Sequence, residues 1–316
     1  MTHAWRILVV VVAAALAAIG ATAALAHDPK PRDDRIFTLQ PDPAGNPEGI
    51  AFDRRSGAFF VSITADGAIY RGTLDSGTVA PFIPGAPGAA AVGIEVRRGL
   101  LYVAGGSTGT ITVYDLATRQ PVATFATGTG GFLNDLVVTR RGDVYVTDSF
   151  RPVLWHVTAD QVRAGGGTPQ ALDVSSGIAY ATGFNLNGIV AKGDRRLIVV
   201  QTNTGKLFRI RLDADGSALD GIDEVAAVSV PGGDGLLLDR GRLVVVQGGP
   251  PAQLTFVRLR DRARRGEVSA TLQSDALEGP STVDAARGLY LVVNADFANS
   301  ATPFTVVGLR RGHRPR

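Results

Sequence analysis

The sequence predicts an all-β chain built from one repeated hairpin unit, and three observations predict it. Six segments of the 316-residue chain share a pattern: an apolar strand, an Arg- or Gly-bearing turn, and a second apolar strand. They begin at Gly49, Gly93, Asp135, Gly188, Gly235 and Thr282, which sets a period of about 40 to 50 residues. A third strand follows each hairpin, from "AIYRGTL" to "PFTVVGL", and in five units a more polar fourth stretch comes next, such as "TVAPFIPG" or "PVATFATG". The last unit lacks that stretch, and "RIFTLQ", which precedes the first unit, has the composition to supply it. Four strands per unit at this period are the signature of a β-propeller. The expectation is a six-bladed β-propeller of four-stranded blades over residues 35–309, its last blade closed by the N-terminal strand, so that no sheet edge is left open. A two-domain β-sandwich explains neither the count of six nor the missing strand.

Taken in order, the chain opens on Met1–Arg6, with one firm positive charge, followed by an apolar run from Ile7 to Ala26. Ala24-Leu25-Ala26 fits a small-residue cleavage site, so residues 1–26 read as a signal peptide and the protein as secreted or extracytoplasmic. A retained anchor is the other reading, because 20 apolar residues span a bilayer. Residues 27–34 are a polar segment, and residues 310–316 form a basic tail after the last unit. Hydrophobic residues make up 45% of the chain and charged residues 19%, enough for a large core and against disorder. The 39 glycines and 17 prolines are spread along the chain, as many turns require. A net charge of +3 gives no reason to expect a nucleic-acid partner. The absence of cysteine means that an exported chain is held by its core alone, and it removes thiol nucleophiles and Cys-ligated zinc.

In a propeller the first strand of each blade lines the central channel, and the residue just before it points toward one mouth. Those positions carry Glu48, Asn134, Asn187 and Asp234 on four blades. Two carboxylates aimed at one axis repel each other by on the order of 4 kcal/mol at about 4 Å and an effective dielectric near 20. A cation or a shared proton must offset that. Four oxygen ligands suit a hard divalent ion, Ca²⁺ first, with Mg²⁺ or Mn²⁺ also fitting; Zn²⁺ is admissible, although no His or Cys is near to favour it. The competing reading is that these residues cap strand ends by turn hydrogen bonds. Two other motifs lead elsewhere. Gly105-Gly106-Ser107-Thr108-Gly109 matches a nucleophile elbow but runs into a strand rather than a helix, so it reads as a turn. His156 lies in a third strand with no partner histidine and reads as structural.

"NDLVVTRRGDVYVTDS" resembles the signature of the senescence marker protein, gluconolactonase and luciferin-regenerating enzyme (regucalcin-like) family. "NPEGIAFD", "LNGIVAKGDRRLIVVQT" and "GDGLLLDRGRLVVVQG" resemble its other three motifs, in the family's order, and the resemblance runs from Arg35 to Leu309. It implies a six-bladed propeller with one divalent metal in the channel, held by Glu48, Asn134, Asn187 and Asp234. Family members with known activity hydrolyse lactones, and some act on other esters; a related branch has lost the chemistry. Sugar-lactone members carry Arg two positions before the Asn of the third-blade motif. Here that residue is Phe132, which favours a more apolar ligand.

These readings combine into an expected function: an exported, divalent-metal-dependent hydrolase of lactones or related esters. Asp234 is the expected catalytic base as well as a ligand, and Phe132, Asn134 and Asn187 are the expected substrate contacts. Asp135 is expected to support the site rather than act as the base. The alternative is a secreted propeller that binds a small ligand or a protein without turnover. A monomer is expected, with no nucleic acid and, after signal cleavage, no membrane contact.

Overall fold

The structure is a computed structural model, and it describes residues 34–312. The expected signal peptide, most of the polar segment and the last residues of the basic tail lie outside them. A short strand, β1 (Arg35–Leu39), opens the described chain. Six hairpin-based runs follow. The first is β2 (Pro47–Asp53), β3 (Ala58–Ile63), β4 (Ile69–Thr73) and β5 (Thr78–Ile83); the second is β6 (Ile94–Arg97), β7 (Leu100–Ala104), β8 (Thr110–Asp115) and β9 (Pro121–Ala126). The third is β10 (Leu133–Val138), β11 (Val144–Asp148), β12 (Val153–Val157) and β13 (Gln170–Asp173), with a helix, α1 (Ala159–Ala164), in its last connection. The fourth is β14 (Leu186–Ala191), β15 (Arg196–Gln201), β16 (Lys206–Leu212) and β17 (Leu219–Glu224). The fifth is β18 (Gly233–Asp239), β19 (Arg242–Gln247), β20 (Gln253–Arg260) and β21 (Arg265–Gln273); the sixth is β22 (Pro280–Ala286), β23 (Leu289–Asn294) and β24 (Thr305–Arg310).

The second to fifth runs are separate four-stranded antiparallel sheets. The first and sixth share one eight-stranded sheet, in the order β2-β3-β4-β5-β1-β24-β23-β22. β1 joins them. It pairs antiparallel with β24, from Arg35↔Gly308 to Thr38↔Thr305, and meets β5 in a short parallel contact, Thr38↔Thr78 and Leu39↔Val79. Phe37 and Leu39 point inward, and the Phe37 ring meets Phe59 edge-on at 5.2 Å. The result is an all-β fold of propeller type.

Hydropathy along each run has a simple cause. The inner strands of a run are the most enclosed, so β2, β3 and β10 are buried at every residue and read as largely apolar stretches. The outermost strands have one wet face, so β9 alternates over its last residues and β21 is exposed along most of its length. The first strands β2, β6, β10, β14, β18 and β22 lie next to one another in a ring and line one cavity of about 590 Å³. Helix α1 has no counterpart in the hydropathy pattern. Its signal is local: Thr158 and Gln161 form a reciprocal capping box, and Gly165 closes the helix with φ 82°.

Candidate functional site

Five of the six first strands break register at one place. The pairing shifts between Pro47 and Ile50, Leu133 and Leu136, Leu186 and Ile189, Gly233 and Leu236, and Pro280 and Val283. Such bulges re-aim side chains. Glu48, Asn134, Asn187 and Asp234 each sit inside one of these breaks. After Glu48, Asn187 and Asp234 the next position is glycine, which lets the neighbouring strand approach: a Cβ on Gly188 would lie 2.3 Å from the Asp234 carbonyl, and one on Gly49 2.4 Å from the Val92 carbonyl. Hydroxyls then lace the ring. Thr147 accepts from the Asp135 N–H at 3.0 Å and donates to the Asn187 carbonyl at 2.7 Å. Ser281 donates to the Glu48 carbonyl at 2.7 Å.

Glu48, Asn134 and Asn187 are 4–6% exposed; Asp234 is half-buried, with its Oδ1 inaccessible. Glu48, Asp234 and Asn187 interact with one another through the axis, by charge in the first pair and by an Asn187–Asp234 hydrogen bond in the second. Glu48 Oε2, Asn187 Oδ1 and Asp234 Oδ1 are buried without any hydrogen-bond partner. Asn134 donates from Nδ2 to Ser149 Oγ at 3.0 Å, while its Oδ1 accepts no hydrogen bond from any described residue. A buried oxygen left unpaired costs about 1–3 kcal/mol. Three such buried oxygens, with the Asn134 Oδ1 on the same ring of strand starts, therefore fit a hard cation. The set holds only two carboxylates, and among the described residues no three His, Cys, Asp or Glu side chains form a metal-binding group.

Burial, and then the negative charges of Asp234 and Asp135, push the Glu48 carboxyl well above the usual carboxylate range. Burial and the Asp135 charge push Asp234 to about 7, against the Asn187 hydrogen bond. Burial raises Asp135 to about 7 and Glu95 to about 8. Asp135 has a supporting role: its carboxylate accepts the N–H groups of Leu136 at 2.8 Å and, on the next first strand, of Ile189 at 3.2 Å. Glu95 does the same for Val138 at 2.7 Å, and Asp284 for Phe52 at 2.7 Å. The first strands are inner edges, and these acids satisfy their free N–H groups.

Folded-state values above unfolded ones mean that the folded chain holds protons the unfolded chain releases. The associated stability is fully present below about pH 4 and is lost as the pH rises through about 7 to 8. For Glu95 the loss is on the order of 5 kcal/mol. Chelated protein is therefore expected to melt progressively lower from pH 5 to pH 8.5. Glu95→Gln, which keeps an acceptor for Val138 but cannot ionise, is expected to flatten part of that fall. Thermal melts of both proteins across the range check it; an unchanged slope in the variant contradicts the assignment to Glu95.

Around the same mouth lies an aromatic cluster that the sequence showed only in part. Phe132 is half-buried and packs against Phe150 at 5.7 Å and Phe184 at 5.2 Å, with Phe150 and Phe184 5.1 Å apart. Phe150 and Phe184 are 48% and 44% exposed. Their signal was position, one just after β11 and the other just before β14. Thr282 was also missed; it donates to Glu48 Oε1 at 3.4 Å from a run given no site residue. Asn185 proves to be a loop hub rather than a channel residue, its Oδ1 accepting from Ala181, Gln201 and Asn203. Asp148 ties the Phe132 and Phe150 loops together by accepting both backbone N–H groups. His156 stacks on Tyr145 at 4.7 Å, and Gly105–Gly109 is a turn.

No family model and no curated protein matches the chain in sequence. Solved structures do match in shape. A luciferin-regenerating enzyme is 13% identical, with 84% of this chain and 91% of that chain covered and a TM-score of 0.62. A calcium-binding protein, regucalcin, from Agrobacterium tumefaciens is 17% identical over 85% and 92%, with a TM-score of 0.62. A gluconolactonase from Xanthomonas campestris is 18% identical over 88% and 90%, with a TM-score of 0.61. At these identities the likeness is one of fold.

Proposed function

We propose that this chain is an exported, divalent-metal-dependent hydrolase of lactones or related esters, built as a six-bladed propeller whose last blade takes β1 as its outer strand. One observation carries the reading: buried oxygens of Glu48, Asn187 and Asp234 lack a hydrogen bond on one ring of strand starts, which Asn134 completes. These four residues would hold the cation, Ca²⁺ in the first instance. When bound, the cation supplies Lewis-acid polarisation of a substrate carbonyl. The similar folds of a calcium-binding regucalcin and a gluconolactonase support the reading by analogy.

The chain's own residues do the rest. Asp234 takes the proton from the attacking water at its other carboxylate oxygen, Oδ2, while the buried Oδ1 would face the cation. Asn187 fixes Asp234 by its hydrogen bond. Ser149 fixes Asn134, and Thr282 holds Glu48. Phe132, Phe150 and Phe184 line the approach and exclude water, so the substrate is an ester or lactone with an apolar group beside the carbonyl. Turnover of a lactone panel by metal-loaded against chelated protein tests the proposal. Phe184→Ala is expected to raise KM about tenfold for a long-chain lactone, from the lost burial of about 1–2 kcal/mol, and to change a small lactone little. Equal KM changes for both would remove the aromatic contact.

The exposed aromatic cluster also suits the second reading, a secreted binder of an apolar ligand without turnover. Ligand binding with no product from any member of the panel would favour it.

A further inference from the structure

The turns that join the first two strands of each run lie at the opposite end of the channel from Glu48 and Asp234, and every one of the six carries arginine. Four of these arginines, Arg54, Arg55, Arg98 and Arg140, line the cavity mouth on the first three runs, together with Arg97 at the end of β6. They are exposed or half-buried, and none forms a salt bridge with a described carboxylate. They follow one another round the rim. The Arg55 guanidinium lies over Gly99, and Arg98 donates to the Arg140 carbonyl at 3.4 Å.

The acids that face this rim are turned to backbone instead. Asp53 accepts from the N–H groups of Arg55 and Ser56 and from the Ser56 hydroxyl. Asp194 accepts from the Arg140 and Arg141 N–H groups. Glu95 and Asp284, deeper in the cavity, accept from Val138 and Phe52. Burial also pushes both of the deeper carboxyls up, which leaves less negative charge to cancel the arginines.

A second observation is conformational. Arg97↔Leu100, Asp239↔Arg242 and Ala286↔Leu289 are the last pairs of two-residue hairpins, whose loops are Arg98-Gly99, Arg240-Gly241 and Arg287-Gly288. Both residues of each loop have positive φ: 52° and 84° in the first, 48° and 82° in the second, 36° and 93° in the third. That turn favours Asn or Gly at its first position. Arginine runs against local preference in all three turns, so conformation does not single out the rim; Arg98 is the one of the three that lines the cavity.

We propose that the arginine rim at this mouth binds a small, free, multiply charged anion through its phosphate or carboxylate groups. The guanidinium fork matches such oxygens in pairs, and the cavity of about 590 Å³ is large enough for a small ligand. The site is independent of the candidate metal ring, so its fate says nothing about hydrolysis.

Inorganic pyrophosphate is the probe, titrated calorimetrically into protein that has been chelated and then dialysed, so that no bound cation can recruit it. Vesicles of phosphatidylglycerol, assayed by flotation, test the lipid source of the same chemistry. Pyrophosphate is expected to bind, more weakly as salt rises. The double variant Arg98→Asn with Arg140→Gln is expected to bind at least about tenfold more weakly, a loss of about 1.4 kcal/mol. Its melting temperature is expected to hold or rise, because Asn suits the left-handed turn. Arg240→Asn makes the same turn change outside the cavity lining and is expected to leave affinity within about twofold. No binding by the wild type, equal binding by the double variant, or binding to vesicles with none to pyrophosphate would each overturn the proposal.

Discussion

Removal of the residues up to Gln40 is expected to leave the rest of the chain without a cooperative unfolding transition. β1 contributes two fully buried side chains, Phe37 and Leu39. By comparison with truncations in other cores, their loss costs about 3–5 and 2–5 kcal/mol. Together that approaches the whole stability of a typical domain, about 5–15 kcal/mol. The backbone loses as well. The Leu39 N–H donates to the Phe304 carbonyl at 3.0 Å, the Gln40 N–H to the Val79 carbonyl at 2.9 Å and the Thr38 N–H to the Gly77 carbonyl at 2.9 Å. Without β1, both β24 and β5 become open edges, and exposed edges pair with other chains. Calorimetric melts and light scattering of the truncated protein check this. A truncated chain that melts like the intact one would show that β1 does not close the ring. Phe37→Ala is the milder test, with an expected loss of about 3–5 kcal/mol.

The second large effect is chemical. Asp234→Asn is expected to reduce lactone turnover by about 10²–10⁴-fold while the fold persists. The substitution keeps shape and a hydrogen-bonding oxygen but removes both the proton acceptor and one ligand charge. If Asp234 merely capped a strand end, the change would be nearly neutral, because Asn caps about as well. It relieves the repulsion on Glu48, so the metal-free variant is expected to be at least as stable as metal-free wild type. Loss of turnover with an unchanged or raised melting temperature separates a catalytic role from a structural one. Retained turnover would remove Asp234 from the chemistry.

The features legible in the sequence were the periodic ones. Most first-strand residues are buried, so their apolar runs stand out, and a residue such as Asn134 or Asp234 at the head of one is conspicuous. Ring position could be inferred because the same register recurs at Glu48, Asn134, Asn187 and Asp234. The bulges that aim these side chains could not be read, since a bulge adds one residue without altering composition. The reach of Asp135 across to Ile189 was equally hidden, because it depends on how closely adjacent strands approach. Phe150 and Phe184 lie 34 positions apart in the chain and meet Phe132 only once the loops fold over the mouth. Helix α1 is too short for periodicity to show, although Thr158 and Gln161 marked its start. Asn185 and Asn187 flank one leucine, and composition could not say which of them faces the axis.

The cation itself is the most direct test. Chelated wild-type protein is titrated calorimetrically with Ca²⁺, Mg²⁺, Mn²⁺ and Zn²⁺, and Asp234→Asn is titrated alongside. One site per chain is expected in the wild type, with Ca²⁺ among the ions bound, and markedly weaker binding in the variant. At a hundredfold excess over the dissociation constant, the bound ion adds about 2.7 kcal/mol of stability, which raises the melting temperature by roughly 5–10 °C. Wild-type protein that binds none of the four ions, and melts identically with and without them, would contradict the metal ring and the hydrolase built on it.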